Sequence, residues 1–235
     1  MSATLTKYLA LSALAASAFS TGAALAENTL SYNIGAVSDY RYRGLSQTNL
    51  KPTAQAGLDY AHSSGLYVGT WASGIKWLKD SSVELDIYGG YKGEITKGLG
   101  YDLGVLRYQY PGTSAANTTE LYGALTYGML TAKYSQSTTN LFGTVNSKGS
   151  GYLDLSATID LGNGLSLVPH VGRQMVKNSS EFSYNDYALS LTKDFGKGLS
   201  GTVSYVNVSK NLVSSLTSSK DMGPARLVAG VKYAF

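Results

Sequence analysis

After residue 26 no interval of this chain keeps a 3.6-residue apolar period; apolar residues instead return at every second position. Val83, Leu85, Ile87, Gly89 and Tyr91 oppose Glu84, Asp86, Tyr88 and Gly90. Leu153, Leu155, Ala157 and Ile159 oppose Tyr152, Asp154, Ser156 and Thr158, and Tyr187, Leu189 and Leu191 oppose Asp186, Ala188, Ser190 and Thr192. The last strand puts Leu227, Ala229, Val231, Tyr233 and Phe235 on one face and Arg226, Val228, Gly230, Lys232 and Ala234 on the other. A strand turns successive side chains to opposite sides, so this period predicts an all-β chain. Two architectures accommodate it, a β-sandwich and a barrel closed in a membrane. A sandwich must gather large apolar residues into one core. Here the apolar face is broken by Gly and Tyr, and the opposite face carries charge. The barrel is the reading this favours.

Turn chemistry divides the chain in a long-short rhythm. His62–Gly65, Lys92–Gly98, Gly128–Met129, Leu161–Gly164 and Asp194–Gly198 read as compact, mostly Gly-bearing hairpin connections. Longer polar stretches fall near 41–51, 76–82, 111–118, 138–149, 178–183 and 210–224. Five short turns interleaved with six longer loops bound twelve strands. The expectation is one closed antiparallel transmembrane barrel over residues 27–235, with short periplasmic turns and longer extracellular loops.

The amino-terminal segment sets the compartment. Lys7 is its lone basic residue, an apolar run spans Tyr8 to Phe19, and Ala24-Leu25-Ala26 supplies small residues at a cleavage position. That is the layout of a secretory signal peptide over residues 1–26, cleaved near Ala26. Its apolar run is shorter than the roughly 20 residues a spanning helix needs. The expected destination is the outer membrane of a Gram-negative bacterium, reached through the periplasm.

Composition narrows the function. With Lys7 removed, 18 basic residues face 15 acidic ones, too small an excess to predict nucleic acid as a partner. Cysteine is absent, so there is no disulfide framework. Twenty-seven glycines and nineteen tyrosines suit closely packed strands and a membrane interface.

The segment Val37-Ser-Asp-Tyr-Arg-Tyr-Arg-Gly-Leu-Ser-Gln-Thr48 resembles the opening motif of the TorF-family porins, V-S-D-Y-x-[FY]-R-G-x-S-Q-T. The likeness continues through 57–65, 69–73, 84–93, 120–123 and 151–155 and so covers essentially the whole of residues 27–235. The resemblance implies an outer-membrane porin of poorly defined substrate, without assigned catalytic residues. The terminal aromatics Tyr233 and Phe235 likewise resemble the assembly signal read by the bacterial barrel-insertion machinery.

Charges on the non-lipid face define the candidate site. Asp39, Asp59, Glu84, Asp86, Asp102, Glu120, Asp154 and Asp186 stand against Lys133, Arg226 and Lys232. A Lys or Arg facing lipid at the midplane costs about 2–4 kcal/mol, so these residues are expected to line the lumen. Eight acids against three bases predict mild cation preference in a channel for small hydrophilic solutes; the alternative is a closed interior of paired side chains, giving a structural or adhesive barrel. Arg41 and Arg43 are expected at the extracellular rim, where guanidinium groups meet solvent or lipopolysaccharide phosphate.

An enzyme is not expected. His62 lies in a predicted turn and His170 on the predicted lumen face with Gln174, and no G-x-S-x-G elbow accompanies either. Glu84 and Asp86, two apart on one face, read as lumen lining rather than as a catalytic acid pair. There is no H-E-x-x-H and no Asp-rich calcium loop, so no cofactor or metal is expected.

Overall fold

The computed structural model describes residues 28–210 and 222–235. The signal-peptide segment therefore lies outside the described residues, as does most of the last long connection. Twelve antiparallel strands form the molecule: β1 Thr29–Val37, β2 Thr53–Ala61, β3 Leu66–Gly74, β4 Val83–Thr96, β5 Leu99–Gln109, β6 Thr118–Tyr127, β7 Leu130–Ser137, β8 Gly151–Ala157 with its continuation Ile159–Gly162, β9 Leu165–Met175, β10 Tyr184–Gly196, β11 Leu199–Val208 and β12 Arg226–Ala234. Each pairs with the next, and β12 returns to β1 in the register Asn33 to Ala234 through Val37 to Gly230. Beyond that register Tyr32 and Phe235 exchange both backbone hydrogen bonds, at 2.9 and 3.0 Å. The barrel is closed.

The outward faces are apolar. Leu30, Ile34, Leu103, Leu121 and Leu227 are each more than half exposed, with Val68, Ile87, Leu125, Leu189 and Val203 completing the belt. Each large aliphatic chain left in water forgoes about 1.5–3 kcal/mol of burial, so a continuous belt of them needs a non-aqueous partner. Aromatics bound the belt at both ends. Tyr32, Tyr60, Tyr91, Tyr127, Phe195, Tyr233 and Phe235 ring the short-turn end, while Tyr134, Tyr187 and Tyr205 mark the other. Among the described residues no helix is long and apolar enough to cross a membrane. The strands supply the crossing.

Three of the short turns share one device. Glu94, Asp160 and Asp194 accept from the N–H of Gly98, Gly162 and Gly196 at 2.6, 2.8 and 2.7 Å, beside a register shift in each hairpin. Asn163-Gly164 and Lys197-Gly198 then turn with φ positive at both residues, the geometry that matches strand twist. Ladder pairing carries β4 to Thr96 and β10 to Gly196, so the turns expected over Lys92–Gly98 and Asp194–Gly198 are tighter than their sequences imply.

Glycine and tyrosine, the two abundant residue types, act together on the inner wall. Tyr88 lies across Gly69, Tyr67 across Gly90, Tyr122 across Gly104 and Tyr152 across Gly172, each ring covering a bare backbone on a neighbouring strand. The phenols end on carboxylates: Tyr88 on Asp59, Tyr67 on Asp102 at 2.6 Å, and Tyr152 on Asp186 at 3.0 Å. Tyr122 instead meets Tyr67.

Candidate functional site in the barrel interior

The first long connection does not stand at the rim. It folds back into the barrel as a two-stranded hairpin, Arg41–Tyr42 against Leu45–Ser46, and crosses from one wall to the other. Positive φ at Arg43 (47°) and Gly44 (79°) makes the reversal. A side chain at residue 44 would collide with Val208 and Asp186, so only glycine lets the tip touch the far wall.

Asp39 braces the hairpin internally. It is fully buried and accepts from Arg41 Nε at 2.6 Å, Ser46 Oγ at 2.5 Å and Thr48 Oγ1 at 3.1 Å. Arg41 also donates to the Gly44 carbonyl at 2.9 Å. The near wall is met by Tyr40, whose hydroxyl donates to Glu84 at 2.6 Å and whose ring packs edge-on against Trp71. Tyr110 donates to the other Glu84 oxygen at 2.8 Å. Burial, and after it the Glu84 carboxylate, pushes the Tyr40 and Tyr110 phenols well above their ordinary pKa of 10.0. Both therefore remain donors at neutral pH.

Arg43 crosses the lumen. Its guanidinium donates to Glu120 of β6 at 2.7 Å and to Gln174 of β9 at 2.7 Å, and it sits over the Tyr152 ring at 4.2 Å. Arg41 and Arg43 are thus 2% and 4% exposed rather than rim charges. The physical reason is that Glu84 and Glu120, buried on the inner wall, need donors. The segment 37–48 supplies them from Tyr40 and Arg43. Aromatic side chains from four loops and the end of β5 cap the same side, with Phe142 packed edge-on against Tyr42, Tyr108, Trp77 and Tyr110.

The other singled-out charges occupy the inward faces of their strands. Lys133 stands beside Asp154 across the ladder, with its ammonium 3.9 Å from the Tyr122 ring centre. Lys92, an inward base that the sequence reading left out, opposes Asp102. Lys232 lies on the inner face of β12 toward the short-turn end, whereas Arg226 is exposed at the long-loop end. His170 joins two carboxylates, Asp154 at 3.3 Å and Asp186 at 2.8 Å. Among the described residues no serine or threonine hydroxyl bonds its ring, while His62 only ties its own turn through Ser64 at 2.8 Å. The His170 pairings were not legible in sequence, because the partners lie on different strands. Among the described residues no three acidic or histidine side chains are grouped to hold a metal.

A closed twelve-stranded sheet with an apolar belt outside, charges inside and a loop folded across the bore is a membrane-spanning β-barrel narrowed from within. The chain belongs to the family described as a bacterial protein of unknown function (Gcw_chp), whose model matches residues 21–235. No curated protein matches it in sequence. Among solved structures it is similar to the KdgM porin in complex with disordered oligogalacturonate (TM-score 0.59, 11% identity, 88% of this chain and 98% of that one). It is likewise similar to the NanC porin (TM-score 0.58, 10% identity, 88% and 99%). At such identities the likeness speaks for the fold alone.

Proposed function

We propose that this protein is an outer-membrane channel for passive diffusion of small hydrophilic solutes, its bore narrowed at the long-loop end by the hairpin of residues 39–48. The observation that carries the reading is the polar interior, too charged for a barrel whose inside serves only as apolar filling. Twelve strands lie between barrels filled by side chains and the wide sixteen-stranded porins, which suits a narrow path. Residues 1–26 act as the cleaved leader, Tyr233 and Phe235 as the signal to the insertion machinery, and the long loops face the outside near lipopolysaccharide. The motif at 37–48 favours kinship with the TorF-family porins.

The mild cation preference rests on fewer residues than a count of sequence charges implies. Arg41, Arg43 and Lys92 join Lys133 and Lys232 inside, so most inward acids are matched, and the preference falls to those left over. The buried arginines argue against an anionic sugar polymer such as the oligogalacturonate of the KdgM complex, because Arg41 and Arg43 are each withdrawn from solvent and paired with a carboxylate, Asp39 and Glu120. The second reading, a non-conducting structural barrel, draws on the same dense pairing.

Planar-bilayer conductance of the refolded protein decides between them. Discrete openings with a reversal potential shifted toward the cation under a salt gradient are expected. A protein that inserts and never conducts would establish the structural barrel instead.

A further inference from the structure

Among the described residues, Asp86 is the inner-wall acid without a partner at a buried oxygen. Glu84 is held by Tyr40 and Tyr110, Glu120 by Arg43, Asp102 by Tyr67, and Asp154 and Asp186 by His170. Asp86 is 3% exposed, and its Oδ1 finds neither donor nor acceptor. It stands on β4 between Trp71 of β3 and Tyr108 of β5, its cross-strand neighbours on the same inner face. Glu84 lies two residues away on that face, and Glu120 is close enough to act on it electrostatically. Three carboxylates thus share this wall with one guanidinium, Arg43.

A buried carboxylate beside two others is costly unless a positive charge or hydrogen bonds compensate it. Chemistry on the wall limits what that charge is. A divalent metal needs several free oxygens, whereas both Glu84 oxygens are held by phenols and Glu120 Oε2 by the Arg43 guanidinium, and among the described residues no three acidic or histidine side chains are grouped to hold a metal. A single carboxylate with an unpartnered oxygen, between two aromatic side chains that offer no further oxygen ligands of the carboxylate kind, suits a small monovalent cation.

We propose that Asp86, flanked by Trp71 and Tyr108, is a binding station for a small monovalent cation on the solute path, of the ammonium or alkali class. The proposal rests on the channel reading for its role in transport, and on the wall's geometry alone for binding.

Two measurements separate those dependencies. The first is reversal potential under a gradient of potassium chloride for the wild type, Asp86→Asn and, as an exposed loop acid outside the inner wall, Glu181→Gln. Asp86→Asn is expected to lose cation selectivity severalfold, and Glu181→Gln to change it much less. The second is thermal unfolding of the refolded protein at low ionic strength, with methylammonium chloride, potassium chloride or the bulky N-methylglucamine chloride added. The two small cations are expected to raise the unfolding midpoint of the wild type above the bulky control, and Asp86→Asn to abolish that difference. Stabilisation by methylammonium alone would assign the site to ammonium groups, and equal stabilisation to small cations in general. A non-conducting barrel that still shows the Asp86-dependent stabilisation would keep the site and overturn the channel. Identical reversal potentials and identical stabilisation in wild type and Asp86→Asn would overturn the site, with Asp86 then held as a neutral acid. Asp86→Ser removes the same charge with less bulk and reads the same way should the Asn variant not refold.

Discussion

Arg43 is the residue on which the narrowed bore turns. Its pair with Glu120 is buried on both sides, and removing one member of such a pair costs about 3–5 kcal/mol by stranding the other. Arg43→Ala is therefore expected to free the hairpin and raise single-channel conductance. Arg43→Ala with Glu120→Gln should recover part of the lost thermal stability, because no carboxylate is then left bare. A stability for the double variant no better than for Arg43→Ala would show that the pair does not hold the hairpin. The phenols on Glu84 give a second handle. Tyr40 and Tyr110 are raised well above 10.0 by burial and then by Glu84, whereas an exposed phenol ionises near that value. Ionisation thus favours the undocked hairpin: docking is fully supported below pH 10 and weakens as pH climbs above it. Conductance is expected to hold steady through neutral pH and rise in strong alkali, read on the same bilayer.

At the scale of strands and loops, Gly–Tyr pairs turn composition into architecture. A methyl group on Gly104 would meet the Tyr122 ring at 2.5 Å and the Gly89 carbonyl at 2.8 Å. Gly104→Ala is expected to destabilise the barrel by about 1–3 kcal/mol, the usual range for overpacking, seen as a lower unfolding midpoint by circular dichroism. An unchanged midpoint would mean that the ring is free to move aside. The strands were legible in sequence because their alternation is local, as from Val83 to Tyr91, and because turns such as Asn163-Gly164 carry their own chemistry. The hairpin was not. Nothing in Asp39-Tyr40-Arg41-Tyr42-Arg43-Gly44 distinguishes a loop standing outward from one folded inward. That choice is made by Glu84, Glu120 and Gln174, which lie far along the chain. His170 was visible on the correct face for a local reason, yet its carboxylate partners were hidden for the same non-local one.

For the whole molecule, closure is the weak point to probe. The β1–β12 seam spans only Asn33–Val37 against Gly230–Ala234, extended by the paired backbones of Tyr32 and Phe235. Phe235 also stacks on Tyr32 at 5.7 Å between ring centres. Deleting Phe235 removes both of those hydrogen bonds and the stacked ring, so less folded, heat-modifiable protein is expected in the outer membrane, with export unaffected. A normal folded yield would show that the seam holds without it.

The inward hairpin also fixes an order of events. It is made second, directly after β1; its near-wall anchor Glu84 lies 44 residues on, but its other anchors sit 77, 131 and 181 residues further on, at Glu120, Gln174 and Met222. Contacts so distant in sequence form late, since long chain loops must be closed before they are gained. An assembling barrel accordingly spends most of its folding time with an open throat, and the obstruction settles only when the circle of strands is nearly complete.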